Sequence, residues 1–172
     1  MRKIILLGYM GSGKSTIASR LSIITSIPCL DLDKVIEERT KLSIKEIFEQ
    51  HGEIYFRKFE REVLIELLNN PNDLIIGLGG GTPCYANNHE LLNGDNIVSI
   101  YLKASVDTLF ERLVSNKNKR PIIANKTNEE LKEFIAKHLF DRSFYYNQAQ
   151  YKVCIDGRTK DETAQDILAI LT

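Results

Sequence analysis

A glycine-rich segment near the amino terminus combines residue types and a spacing that bind phosphate anions. Residues 8–15 read Gly-Tyr-Met-Gly-Ser-Gly-Lys-Ser and match the pattern G-x-x-x-x-G-K-[ST]. Glycines let consecutive backbone N–H groups turn toward phosphate oxygens, and a helix beginning there directs its positive end at the same anion. Lys14 is expected to reach the β- and γ-phosphates, and the Ser15 hydroxyl to ligate Mg²⁺. The sequence therefore predicts a nucleotide-binding loop whose phosphate contacts come from Gly11, Ser12, Gly13, Lys14, Ser15 and Thr16.

The elements around this loop are those that the motif requires. Residues 4–7 form a continuous apolar run, which predicts a strand buried on both faces. Apolar residues then recur at helical spacing between residues 15 and 25. A glycine-rich turn without function is the weaker explanation, because a chance match placed between a strand and a helix is rare.

The rest of the chain alternates between the two patterns. Short apolar runs predict further strands at 29–31, 74–78, 97–102 and 151–155. Helical spacing predicts helices at 33–40, 43–50, after Gly52 to about 68, 106–114, 128–146 and 163–171. This alternation predicts an α/β fold, with a parallel sheet covered by helices on both faces.

Composition restricts the class of protein. The 172 residues suffice for one domain, and the 43% apolar and 27% charged fractions are ordinary for a globular protein. Basic and acidic residues balance at 23 each, so no nucleic-acid partner is indicated. No apolar run is long enough to span a membrane. Cys29, Cys84 and Cys154 lack metal or disulfide spacing and indicate reduced thiols in a cytoplasmic protein.

The nucleotide-binding loop alone does not separate a kinase from a switch GTPase. GTPases of the common kind read guanine with Asn-Lys-x-Asp after a strand. Residues 125–128 read Asn-Lys-Thr-Asn, which lacks the final Asp, and they follow no predicted strand. The sequence therefore favours a kinase.

The order of further motifs resembles the shikimate kinase family over essentially the whole chain. The motifs are the loop at 8–15, D-x-D at 31–33, G-E-x-x-F-R-x-x-E at 52–60, G-G-G at 79–81, R-P at 120–121 and R-x-x-x-Y at 142–146. Each except the first is weak alone, whereas six in order are strong. The resemblance implies a three-layer P-loop kinase fold whose five-stranded parallel sheet has the order 2-3-1-4-5. It also implies one domain over residues 1–172, with a substrate-binding segment at about 33–60 and a lid at about 113–127.

The resemblance implies an activity as well. A family member transfers the γ-phosphoryl of ATP to the 3-hydroxyl of shikimate, giving shikimate 3-phosphate and ADP, in the pathway to chorismate and the aromatic amino acids. One Mg²⁺ accompanies ATP. The implied partners are ATP and shikimate, with neither nucleic acid nor membrane, and the implied protein is a cytoplasmic monomer.

Roles for the acceptor side of the site follow from the same resemblance. Asp33 would accept a hydrogen bond or the proton from the reacting hydroxyl, and Arg57 and Arg142 would hold the carboxylate of shikimate, for which the planar guanidinium is suited. Backbone groups of three glycines would contact substrate at close range: Gly79, Gly80 and Gly81.

On the nucleotide side, Asp31 would act with Ser15 on Mg²⁺. Arg120 would come in with the lid to neutralise the transferring phosphate, which makes it catalytic together with Lys14 and Asp33. Arg112 and Arg158 would contact the adenine end of the nucleotide.

Simpler explanations exist for several of these residues. Asp31 and Asp33 could be helix caps, Arg57 could belong to an exposed ion-pair face, and the three glycines could merely turn the chain. Thr82-Pro83 departs from the small or β-branched aliphatic pair common in the family, which leaves the path of the glycine segment open. Two other functions also remain open, a related kinase such as gluconate kinase and a non-catalytic ATP-binding regulatory protein.

Overall fold

A parallel sheet forms the centre of the protein, whose computed structural model describes residues 2–115 and 122–172. Its five strands are β1 (Lys3–Leu7), β2 (Cys29–Asp31), β3 (Leu74–Gly77), β4 (Ile97–Lys103) and β5 (Tyr151–Cys154). Their order is β2-β3-β1-β4-β5, which confirms the predicted order. β1 lies between β3 and β4 and is buried along its whole length, as its unbroken apolar sequence predicts.

Six α-helices flank the sheet within the described residues. They are α1 (Lys14–Thr25), α2 (Leu32–Thr40), α3 (Ile44–Leu68), α4 (Val106–Val114), α5 (Asn128–Tyr146) and α6 (Lys160–Leu171). α1 packs against α6, α2 against α3, and α4 against α5. None of these helices has the length and apolar character needed to cross a lipid bilayer. The three-layer α/β fold predicted from the sequence is therefore confirmed.

The strand ends position the candidate site. β1, β2 and β3 run parallel, so the residues that follow them emerge at one edge of the sheet. The nucleotide-binding loop follows β1, Asp31 ends β2, and the three glycines follow β3. Three of the predicted motifs thus meet because of sheet topology alone.

α3 carries one local break. The sequence predicts two helices separated near Gly52, and Gly52 has φ 82° and ψ 172°, so the helical chain kinks there without a loop. The left-handed φ favours glycine at this point. Ser43 and Glu46 form the predicted capping box at the start of the helix.

Two short 3₁₀ helices were not predicted, at Thr82–Cys84 and Asn88–Leu92. Both are shorter than the window in which apolar spacing is informative. α6 begins at Lys160, before the predicted residue 163, because Thr159 and Glu162 form a capping box ahead of its apolar residues.

Candidate active site

The nucleotide-binding loop has the backbone that its sequence predicts. Gly11 and Gly13 have φ of 83° and 93°, and Gly13 caps α1 without a side-chain hydrogen bond. Gly13 has no side chain with which to cap α1, and the start of a helix is its positive end. Lys14 Nζ donates to the carbonyl oxygens of Gly8 at 2.8 Å and Tyr9 at 3.0 Å. These contacts hold the ammonium group over the loop.

Ser15 and Asp31 form a pair of oxygen donors beside the loop. Ser15 Oγ donates to Asp31 Oδ2 at 3.1 Å, while Asp31 Oδ1 accepts from the Lys34 backbone N–H at 3.3 Å. Asp31 therefore caps α2 and also faces Ser15, so the two explanations of this residue are compatible. Within residues 2–115 and 122–172, no cluster of three or more His, Cys, Asp and Glu could hold a metal. Two protein oxygens fit Mg²⁺ brought by a nucleotide, since that ion keeps water and phosphate ligands.

The three glycines after β3 each face one of the predicted acceptor-side residues. A Cβ on Gly79 would lie 2.9 Å from Asp33 Oδ1, one on Gly80 would lie 3.4 Å from Arg142 Nη1, and one on Gly81 would lie 3.0 Å from Arg57 Nη2. Side chains from α2, α5 and α3 thus approach one stretch of backbone closely. A plain turn does not require this arrangement, whereas a shared substrate site does.

Arg57 is held by a buried carboxylate. Its Nη1 donates to Glu60 Oε2 at 2.9 Å, and only 1% of the Glu60 side chain and 16% of the Arg57 side chain are exposed. This is not the solvated ion-pair face that the helical sequence also allowed. Glu60 Oε1 accepts from Thr82 Oγ1 at 2.7 Å, so both carboxylate oxygens are used.

Thr82 explains the departure from the family pattern. The residue is fully buried; its hydroxyl donates to Glu60, and its carbonyl oxygen accepts from Asn88 Nδ2 at 2.9 Å. An aliphatic residue of similar shape lacks the hydroxyl donor. The path left open by the sequence is thus a 3₁₀ helix fixed to α3 through Glu60.

Arg142 presents positive charge to the glycine segment. In the described parts of the chain no carboxylate lies within ion-pair distance of its guanidinium, which lies 5.6 Å from the centre of the Tyr9 ring. One turn further along α5, the fully buried Tyr146 donates to the Gly80 carbonyl oxygen at 2.6 Å. Within the R-x-x-x-Y motif, Tyr146 thus fixes the glycine backbone, and Arg142 places a cation next to it.

Asp33 lies in an environment that opposes its ionisation. Burial, and then the carboxylates of Asp31 and Glu60, raise the pKa of Asp33 to about 6, whereas the Lys14 ammonium acts in the opposite direction. It is the backbone N–H of Lys34 that Asp31 caps, so Asp33 is not the cap of α2. A carboxylate with a pKa near neutrality, beside a phosphate-binding loop, is suited to proton transfer.

A cleft of about 700 Å³ runs from the nucleotide-binding loop to Asp33 and the first two glycines after β3. Its walls include Lys14, Ser15, Asp31, Asp33, Gly79, Gly80, Arg112 and Arg158. Among the described residues, the walls do not include Arg57 or Arg142, which approach the glycine segment beside the cleft. The cleft is therefore large enough for a nucleotide and continues to the acceptor-side residues.

The two arginines predicted for the adenine end both line the cleft, but they have different partners. Arg112 Nη1 donates to the Ser12 carbonyl oxygen at 3.3 Å, and the residue lines the cleft beside the loop. Arg158 lies at the cleft wall, 3.7 Å from Asp166 Oδ2, and about half of its side chain is exposed. Arg120 and Pro121 lie outside the described residues, so the role of Arg120 and of the lid at 113–127 stays a prediction.

Sequence reasoning missed Thr82 and Tyr85 as site residues. In the sequence Thr82 is only a departure from the family pattern, although a hydroxyl in an aliphatic position is itself a signal of a buried hydrogen bond. Tyr85 carries no sequence signal, because only the tertiary fold brings its ring to the Arg57 guanidinium.

The sequence of the chain is similar to known proteins over nearly its whole length. The family model for shikimate kinase matches residues 10–172. A curated shikimate kinase from Flavobacterium johnsoniae is 72% identical over 171 residues, which cover 99% of each chain.

Solved structures agree with the sequence comparison. A crystal structure of shikimate kinase from Bacteroides thetaiotaomicron has a TM-score of 0.91 at 35% identity, covering 99% of this chain and 98% of that chain. A shikimate kinase from Acinetobacter baumannii in complex with shikimate has a TM-score of 0.83 at 31% identity, with 99% and 93% covered. The six motifs, the strand order and these matches all point to the same relatives. The chain belongs to the shikimate kinase family.

Proposed function

We propose that the protein is a shikimate kinase, which transfers the γ-phosphoryl of ATP to the 3-hydroxyl of shikimate and releases shikimate 3-phosphate and ADP. The observation that carries the proposal is the glycine segment at 79–81. A carboxylate and two guanidinium groups from three helices approach its three residues so closely that a Cβ there would meet them, next to the cleft that contains Lys14. Shikimate has a carboxylate and ring hydroxyls, which match two cations and one acceptor.

Asp33 is the group that would accept the hydrogen bond of the reacting hydroxyl. As a carboxylate it orients that hydroxyl toward the phosphate loop, and its raised pKa makes it a better proton acceptor than an exposed Asp. Gly79 allows this approach, because a side chain there would collide with the Asp33 carboxylate. Bringing hydroxyl and phosphate together is itself a major part of catalysis.

The nucleotide side would stabilise charge on the transferring phosphoryl. The N–H groups at the start of α1 and the Lys14 ammonium bind phosphate oxygens. Ser15 and, through water, Asp31 are the residues that would hold one Mg²⁺, which when bound supplies positive charge to the phosphates. Gly11, Ser12, Gly13 and Thr16 complete the phosphate contacts, Arg112 and Arg158 border the nucleotide, and Arg120 is predicted to close on it.

Arg57 and Arg142 would bind the acceptor carboxylate together. Arg57 Nη1 donates to Glu60, so that nitrogen is occupied, while Nη2 lies on the side of Gly81. Arg142 has no carboxylate partner among the described residues, which leaves its charge to be neutralised by a ligand. Two guanidinium groups give an anion a fixed orientation as well as affinity.

A coupled assay of ADP release tests the proposal. ADP formation by the protein with Mg²⁺ and ATP is expected to depend on shikimate, with gluconate as the control acceptor. Stimulation by gluconate alone would support the related kinase that the sequence left open. ATP binding without turnover on either acid would support a regulatory protein. Either result would overturn the proposal.

The rate is expected to depend on pH through Asp33. Because its carboxylate is the active form, kcat/KM for shikimate should fall about tenfold per pH unit below about pH 6. His138 also titrates in acid, since burial and Arg142 lower its pKa. The acid limb should therefore persist in a His138→Gln variant, and a flat profile from pH 7 to about pH 5 would exclude Asp33 as the acceptor.

Arg142→Lys should weaken shikimate binding because it keeps the charge but loses the planar fork. We expect KM for shikimate to rise about tenfold to a hundredfold, with KM for ATP unchanged. Arg39→Lys, in an exposed pair with Glu66 on the far ends of α2 and α3, is the matched control and should behave as the unmodified protein. Equal changes in both KM values would argue against a carboxylate role.

We infer that the protein works as a single-domain monomer in the cytoplasm, with residues 33–60 as its substrate-binding segment and without a nucleic-acid or membrane partner. Three unpaired cysteines support the cytoplasmic location, and the balanced charge supports the absence of a nucleic-acid partner. Sedimentation of the purified protein tests the oligomeric state.

A further inference from the structure

We propose that Tyr85 is a positioning residue for Arg57, and that its ring sets the affinity of the site for the acceptor carboxylate. The inference deepens the proposed function and rests on it, because it takes Arg57 to bind that carboxylate. Tyr85 belongs to none of the motifs at 8–15, 31–33, 52–60, 79–81, 120–121 and 142–146.

The ring of Tyr85 lies directly against the Arg57 guanidinium. Arg57 Cζ is 3.8 Å from the centre of the Tyr85 ring, compared with 5.0 Å for Phe56 and 5.9 Å for Phe48. A Cβ on Gly81 would lie 3.0 Å from Arg57 Nη2 and 3.4 Å from Tyr85 Cε2. Guanidinium, ring and glycine backbone therefore meet at one point.

Hydrogen bonds alone leave the plane of the Arg57 guanidinium underdetermined. Nη1 donates to Glu60, but the buried Nε has no hydrogen-bond partner and lies 3.5 Å from Glu53 Oε1. A single hydrogen bond fixes one nitrogen and permits rotation about it. Stacking on an aromatic face removes that rotation, since the attraction depends on the cation lying over the ring.

The backbone that carries Tyr85 is held at several places. Thr82 donates to Glu60, Asn88 Nδ2 donates to the Thr82 carbonyl oxygen, and the Asn88 backbone N–H donates to the Tyr85 carbonyl oxygen at 2.9 Å. Arg61 Nη1 donates to the Ala86 carbonyl oxygen at 2.7 Å. Ala86 and Asn87 both have left-handed φ, near 50°, and these bonds maintain that strained turn. Tyr85 is thus presented on a fixed support although 38% of it is exposed.

The fixed plane of the Arg57 guanidinium affects how strongly the site binds the acceptor carboxylate. A guanidinium kept in one plane donates parallel hydrogen bonds to a carboxylate, whereas a rotating one donates one good bond at a time. Loss of the ring should therefore act on binding of the acid rather than on the nucleotide or the transfer step.

The test compares Tyr85→Leu with Tyr85→Phe. Tyr85→Leu is expected to raise KM for shikimate about threefold to thirtyfold, the range of a stacked cation–aromatic contact, with kcat and KM for ATP nearly unchanged. Tyr85→Phe keeps the ring and should restore the unmodified KM. Tyr151→Leu, a comparably exposed tyrosine on β5, is the control and should leave all constants unchanged.

A second measurement separates this inference from the proposed function. Phenylglyoxal modifies exposed guanidinium groups, and peptide mass spectrometry reports each arginine. Tyr85→Leu should speed modification of Arg57 relative to Arg142, whatever acid the enzyme accepts. The unmodified protein could show no shikimate-dependent turnover while Tyr85→Leu still speeds the modification of Arg57. In that case the proposed function fails and the positioning role stands. Unchanged Arg57 modification, an unchanged KM in Tyr85→Leu, or equal effects of Leu and Phe would overturn the inference.

Discussion

Asp33→Asn is expected to lower kcat for shikimate phosphorylation by about 10²–10⁴-fold, the usual contribution of a positioned general base. The amide has nearly the shape of the carboxylate, so it fits beside Gly79, where the Asp33 oxygens lie close to the backbone. It lacks the negative charge that attracts the hydroxyl proton. ATP affinity should be unchanged, because Asp33 is not one of the phosphate-binding groups. Stopped assays of shikimate 3-phosphate and fluorescence titration with a nucleotide analogue measure the two quantities.

Asp33→Asn should stabilise the folded protein, although it lowers kcat. The pKa of Asp33 is raised to about 6 in the folded protein, above its value of about 3.9 in an unfolded chain. The folded state therefore binds the proton more tightly, and folding free energy is lost as pH rises through about 6. At pH 8 removal of the charge should stabilise the protein by an amount on the order of 1–3 kcal/mol. At pH about 4 the gain should nearly vanish.

A matched control is available on the same helix. Glu38 is exposed on α2, and Glu38→Gln should change neither kcat nor the pH dependence of the thermal midpoint. A loss of kcat below about tenfold in Asp33→Asn, or an equal loss of ATP affinity, would contradict the role given to Asp33.

The fold was predictable because its determinants are local. The apolar run at residues 4–7 and the helical spacing after Lys14 each carry enough information for one element, and alternation of elements implies the parallel sheet. The strand order and the site residues came instead from motif resemblance. Physical reasoning from the residues alone reached the nucleotide-binding loop, but it did not choose among Asp33, Arg57 and their neighbours on the same helices.

The remaining part of the site depends on contacts between distant residues. The ion pair between Glu60 and Arg57 is local, since three residues separate them on one helix. The partner of the other Glu60 oxygen is Thr82, 22 residues away, and no periodicity indicates it. Tyr85 is the first residue of a turn in which Ala86 adopts a left-handed φ, a conformation that alanine rarely adopts. Such features are stabilised by the surrounding structure and are visible only once that structure is known.

Lys14→Met should lower kcat for shikimate phosphorylation by about 10²–10³-fold, the cost of removing one preorganised group that stabilises developing charge. Methionine retains an unbranched apolar side chain of similar length, so the loop can keep its shape, and the lost element is the ammonium that lies over the Gly8 and Tyr9 carbonyl oxygens. Lys34→Met, at an exposed position on α2, is the control and should retain full activity.

The lysine also acts on Asp33, which allows a second readout of the same variant. Its positive charge lowers the pKa of Asp33, so Lys14→Met should raise that pKa and move the acid limb of the residual activity above about pH 6. A variant in which kcat falls but the limb stays in place would show that Lys14 and Asp33 do not share a site. An unchanged kcat in Lys14→Met would exclude the role of Lys14 in stabilising the phosphate. The combined result, a lower rate with an acid limb at higher pH, requires the ammonium to face the nucleotide and the catalytic carboxylate within one cleft.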